Sequence, residues 1–186
     1  GARMPESLAY SIIGMNSAGS REFLRRHLGD DFPLAELAEL THQHYLRILD
    51  TEGVQCKTGL HALLDWLGEA GVPRAVATST RHHLAIDKLG KAGIVQYFDE
   101  IVGGDQVAHG KPAPDIYLEA ARRLGIVPTQ CIALEDSING LRSAHAAGMP
   151  VILVPDLVQP PVDVVELACA MLPSLEGARA IIEARL

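Results

Sequence analysis

The chain has 186 residues, 48% of them hydrophobic, and a formal net charge of −7 from 16 Lys+Arg against 23 Asp+Glu. That length can bury a substantial core without disulfides, and an acidic balance with no block of like charge argues against nucleic-acid binding. Three scattered cysteines (Cys56, Cys131 and Cys169), no apolar run long enough for a bilayer and no signal-peptide layout in GARMPESLAY lead us to expect a cytoplasmic protein with reduced, mostly buried thiols.

From Pro5 to about Asp50 only helix signals occur. Ser17 or Ser20 is expected to cap SREFLRRHL, and Pro33 to open LAELAELTHQHYLRIL, so residues 1–52 read as a small helical unit. After the polar turn TEGVQCKTG the pattern alternates. The helix GLHALLDWLGEAG is followed by the apolar run RAVATST, a helix, DEIVGGD, a helix, CIALEDS, a helix and PVILVPD. Short Val/Ile-rich runs between amphipathic segments predict βαβ units and a doubly wound parallel α/β sheet, here assigned to residues 56–186. The tail from Asp156 is expected to add two short helices on the outside of the sheet.

In open α/β sheets ligands gather beyond the carboxyl ends of the strands, so those ends are where chemistry is sought. At the first, Thr78, Ser79 and Thr80 precede Arg81 and a helix. Hydroxyls beside the unpaired N–H groups of a helix start suit a phosphate oxygen, although an ordinary N-cap at Ser79 or Thr80 would use the same residues. The next loop holds Lys111 between Gly110 and the prolines Pro112 and Pro114, an arrangement that either aims an ammonium at an anion or leaves a solvated lysine before a helix. Its spacing does not match a P-loop. At the following strand end, Glu135 and Asp136 are adjacent. Two carboxylates at a buried strand end repel each other and lose hydration, a cost that a divalent cation offsets. Mg²⁺, which prefers hard oxygen ligands and keeps several waters, fits best. The alternative is that Asp136 caps the helix SINGLRSAHAAG while Glu135 faces solvent.

AVATST, GKPAPDIY and ALEDSINGLRSAHAAGM resemble, in order and spacing, the second to fourth motifs of the haloacid dehalogenase superfamily, in its β-phosphoglucomutase-like phosphatase branch. The resemblance implies a Rossmann-like core, a small helical cap over residues 1–52, Mg²⁺ as cofactor and a small phosphorylated metabolite as substrate. It also implies roles: Thr78 hydrogen-bonds the transferring phosphoryl group, Lys111 neutralises its charge and orients the nucleophile, and Glu135 and Asp136 serve the metal directly or through water. Ser79 joins the phosphate-binding rim, with Arg81, Ser137 and Asn139 as further residues there. The family's first motif, D-x-D-x-[TV] at the end of a central strand, has no counterpart, because the sequence contains no D-x-D. The aspartyl-phosphate nucleophile is therefore expected outside this chain, which alone should not turn over a phosphate ester. A nucleophile-less phosphate-binding module and a phosphosugar mutase are the alternatives, and a monomer or weak dimer is expected.

Other polar residues are read as structural. His42 and His44, like His82 and His83, are spaced to face different ways, and His109 reads as a plain loop residue. Arg21, Arg25 and Arg26 read as a solvated helix face, and Trp66 as a packing residue among leucines.

Overall fold

The computed structural model describes residues 4–156 and 159–186. Three helices come first: α1 (Glu6–Ser11), α2 (Ser17–Leu28) and α3 (Leu34–Glu52). Neither Ser17 nor Ser20 caps α2. Asn16 does so, its side chain accepting a bond from the Gly19 amide at 2.8 Å, whereas Pro33 stands directly before α3 as expected. Glu22 forms ion pairs with both Arg25 and Arg26, so that helix face is solvated and self-paired.

The remainder alternates strand and helix: α4 (Leu60–Glu69), β1 (Ala75–Ala77), α5 (His82–Lys91), β2 (Glu100–Val102), α6 (Asp115–Leu124), β3 (Ala133–Glu135), α7 (Ile138–Ala146), β4 (Val151–Leu153), α8 (Val162–Val165), β5 (Ala170–Met171) and α9 (Ala178–Glu183). All described pairings are parallel. They form two ladders rather than one, β2 with β1 and β3–β4–β5, and among the described residues no pairing joins β1 to β3. A shared core holds the ladders together. Val102 of β2 packs in one apolar cluster with Val151 and Leu153 of β4, Ile116 and Ala120 of α6, and Leu141 and Ala144 of α7.

Strand alternation then covers the other face. Ile152, between Val151 and Leu153, points into a second cluster with Leu63 and Leu67 of α4 and Ile182 of α9. Helices thus cover both faces of β4, which is why VIL is apolar at three successive positions. Trp66 packs against this second cluster, and the Arg179 guanidinium lies 5.1 Å from its ring centroid.

The tail differs from expectation. Besides two short helices it contributes β5, which pairs with β4 through Ile152↔Ala170 and Leu153↔Met171. A two-residue ladder is too short to show a period in sequence. Cys169, next to β5, is exposed, and Cys56 and Cys131 are only half-buried, so the cysteines are less sheltered than their composition suggested. Among the described residues no helix is long and apolar enough to cross a membrane.

Candidate active site at the strand ends

The β1 exit loop runs Thr78, Ser79, Thr80. The Thr78 amide extends the β1–β2 ladder by donating to Val102 O at 3.0 Å, and its Oγ1 accepts from the Thr80 amide at 3.2 Å. Neither Ser79 nor Thr80 caps α5. The α5 start is satisfied from a distant loop, with the His82 amide donating to Asp105 Oδ1 at 2.7 Å. That bond also holds the Asp105 carboxyl below its usual range. Gly103 and Gly104 make the approach possible, since a Cβ on Gly104 would stand 2.5 Å from Ser79 O. Freed from capping, the Ser79 hydroxyl donates to Gly14 O at 2.6 Å.

The β3 exit loop meets the same turn. Asn139, in the first turn of α7, donates through Nδ2 to Ile13 O at 2.7 Å. A Cβ on Gly14, whose φ is +83°, would stand 2.7 Å from Ser137 Oγ. Consecutive carbonyls of the α1–α2 turn are therefore held by side chains from two different strand ends, which places the β1 and β3 exit loops at one rim. The Lys111 loop completes that rim. Its Gly110 packs against the Asn16 side chain, Ser143 Oγ donates to Ala113 O at 2.6 Å, and the Lys111–Pro112 peptide is cis.

Lys111 is not a surface lysine. It is 9% exposed, and its Nζ lies 2.5 Å from Glu135 Oε1, with Glu135 8% exposed. The other carboxylate oxygen, Oε2, accepts from the Asp136 amide at 3.2 Å, from the Ser137 amide at 3.5 Å and from Ser137 Oγ at 3.3 Å. Burial pushes the Glu135 pKa up, but the Lys111 charge and these hydrogen bonds outweigh it and leave the carboxyl below its usual value. Both Glu135 oxygens are thus engaged by the protein.

Asp136 is the opposite case. It does not cap α7, because Ser137 does, accepting from the Gly140 amide at 3.0 Å. No hydrogen bond reaches the Asp136 carboxylate within the described residues. It keeps exposed surface and lines a cavity of about 360 Å³, yet desolvation and then the Glu135 charge raise its pKa. Asn139, Arg142 and Asp156 line the same cavity, while Tyr10, Ile13, Met15 and Phe23 form its wall on the helical side. Lys57, in the segment leading from α3 to α4, pairs with Asp156 at 3.2 Å.

The structure thus brings Lys111, Glu135 and Asp136 together, and places Thr78 one residue from Ser79 at the same rim. No hydrogen bond joins Thr78 to the other three. Arg81 stands at the α5 start without a side-chain cap, and His109 is exposed and pairs with Asp115 at 2.8 Å. No group of three or more His, Cys, Asp or Glu side chains is gathered among the described residues. The Asp136 carboxylate, facing the cavity with no donor among the described residues, is the hard oxygen of this rim that stays open to a ligand.

One participant escaped sequence reasoning. Tyr117, in the first turn of α6, is 7% exposed, and its hydroxyl donates to Glu135 Oε1. The only signal was its place at the end of GKPAPDIY, six residues after Lys111, which says nothing of a bond to Glu135 18 residues further on.

Comparison with known proteins gives a consistent picture. Residues 6–148 match the family model of haloacid dehalogenase-like hydrolases. Hexitol phosphatase A of Escherichia coli is 38% identical over 81% of this chain and 68% of its own length; protein CbbY of Rhodobacter capsulatus is 36% identical over 76% and 66%. The chain thus spans about two thirds of the length of these relatives. Among solved structures, CbbY of Rhodobacter sphaeroides in complex with xylulose-1,5-bisphosphate superposes with a TM-score of 0.79 at 26% identity, over 95% of this chain and 81% of that one.

Proposed function

The chain belongs to the haloacid dehalogenase-like hydrolases, and from that premise we propose that it serves a Mg²⁺-dependent phosphatase for small phosphorylated metabolites, foremost sugar phosphates. The observation that carries this reading is the pairing of Lys111 with Glu135 beside Asp136, whose carboxylate has no hydrogen-bond partner among the described residues, at the cavity. Relatives named as a hexitol phosphatase and as a protein complexed with xylulose-1,5-bisphosphate support the substrate class.

In this reading Thr78 donates to a phosphoryl oxygen, and Lys111 offsets the phosphoryl charge from a direction fixed by Glu135. Asp136, together with Glu135 directly or through water, would hold the cation, and Asp136 is the one whose oxygens the protein leaves open among the described residues. When bound, Mg²⁺ neutralises charge on the phosphoryl oxygens. Ser79, whose hydroxyl holds Gly14 O, is left its backbone amide for phosphate, while the α1–α2 turn and the residues lining the cavity on that side wall the rim. The aspartate that would accept the phosphoryl group is not among these 186 residues, which contain no D-x-D.

Calorimetric titration of the chain with inorganic phosphate, with and without Mg²⁺, tests the reading. Binding should require Mg²⁺ and fall by about 100-fold or more in Asp136→Asn, while phosphate release from sugar phosphates by this chain stays at background. Metal-independent binding, or an unaffected variant, would reject the assignment of Asp136.

A further inference from the structure

The Lys111–Glu135 pair has a third member that the phosphoryl-binding reading leaves without a task. Tyr117 is buried from α6, six residues beyond Lys111. Its hydroxyl donates to Glu135 Oε1, the same oxygen that Lys111 engages, and lies 3.4 Å from Lys111 Nζ, whose ammonium also stands 4.9 Å from the Tyr117 ring centroid. Three groups thus close a triangle of carboxylate, ammonium and phenol in a water-poor interior.

The donor inventory gives the triangle a consequence. An ammonium has three N–H donors and no acceptor. One is committed to Glu135, and the phenol oxygen, having given its own proton to the carboxylate, has lone pairs for a second. The third is left for something else. A carboxylate oxygen shared by two donors cannot swing toward either without losing the other, so the direction of Nζ is set by the phenol as well as by the charge. Packing alone does not require this. A phenylalanine would fill the same volume and keep the ring beneath the ammonium, so the hydroxyl is the part that needs a reason.

We propose that Tyr117 is a positioning residue for phosphoryl binding: its hydroxyl fixes Glu135 Oε1 and Lys111 Nζ so that one ammonium N–H is presented to a phosphoryl oxygen. The assignment rests on the phosphoryl-binding reading of this rim. The Tyr117 ring fills the same core cluster as Ile116 and Ala120, and its hydroxyl adds the aiming of the cation.

Tyr117→Phe isolates the hydroxyl, and inorganic phosphate in the presence of Mg²⁺ is the probe. Phosphate affinity should fall by about tenfold in Tyr117→Phe, with the affinity for Mg²⁺ alone close to wild type and the fold retained at the assay temperature. In a Lys111→Ala background the same substitution should add nothing, because the hydroxyl acts through Lys111. A loss smaller than twofold, or an equal further loss in the Lys111→Ala background, would overturn the proposal. The ammonium resonance of Lys111 in ¹H–¹⁵N spectra provides a readout without phosphate. It should be protected from solvent exchange in wild type and broadened in Tyr117→Phe, and an unchanged signal would overturn the positioning role even if phosphate failed to bind. Failure of wild type to bind phosphate, with the resonance behaving as expected, would instead remove the reading of the rim and leave the triangle as a structural device.

Discussion

Glu135 and Asp136 are neighbours of the same chemical type, yet the fold shifts their carboxyl groups in opposite directions. Asp136 is raised by desolvation and then by the Glu135 charge, so folding favours its protonated form. Its stabilising contribution is full below the ordinary aspartate value and disappears as pH rises through the raised one. Without divalent cations, Asp136→Asn should therefore melt slightly above wild type at pH 7, with the difference gone below pH of about 3.9, and added Mg²⁺ should raise only the wild type. Glu135 is held low, so its contribution is present above the ordinary glutamate value and is lost as pH falls through the depressed one. Glu135→Gln would leave the Lys111 ammonium buried without its counter-charge, and denaturant unfolding should show a loss of about 3–5 kcal/mol. Gly140 guards the same pair, because a Cβ there would fall on the Glu135 carboxylate; Gly140→Ala should cost about 1–3 kcal/mol in the same measurement. Adjacent carboxylates at a strand end were legible in sequence. Their division of labour was not, because it depends on Lys111, 24 residues upstream, and on the Ser137 amide and hydroxyl.

Elements were legible where side chains repeat and illegible where partners are distant. The apolar runs AVA, EIV, ALE and VIL became strands, and amphipathic segments between them became helices, because short apolar runs set between helix-length periodic segments leave a mark in composition, although only VIL is buried at all three positions. The α5 start was misread because its cap came from elsewhere, Asp105 serving it from a loop 23 residues away, whereas at α2 the error was local, Asn16 capping the helix one residue before the expected Ser17. The α1–α2 turn was invisible to sequence reasoning, since its contacts span 65 residues to Ser79 and 126 to Asn139. Ser79→Ala combined with Asn139→Ala should free Gly14 and Ile13 carbonyls at a cost of about 1 kcal/mol per bond. Amide exchange across residues 12–16 should then quicken while exchange in β3 and β4 stays at the wild-type rate, and equal quickening in the strands would show that the turn is held by packing instead.

For the molecule as a whole, two ladders share one core, and among the described residues no strand pairing joins them. Val102 meets Val151 and Leu153 through α6 and α7, so the apolar cluster is continuous where the backbone pairing is not. Fold class could be inferred because alternation of strand and helix depends on local composition, and the break between β1 and β3 falls where the family resemblance puts the central strand of the D-x-D motif that this sequence lacks. On one side β1 pairs with β2 and on one side β3 pairs with β4; each keeps a flank whose amides and carbonyls have no strand partner among the described residues. Such flanks govern colloidal behaviour. Light scattering from this polypeptide should grow with concentration and diminish when a short, β-branched extended peptide is supplied in excess, because a guest backbone would satisfy the vacant polar rows that copies of the chain otherwise offer one another.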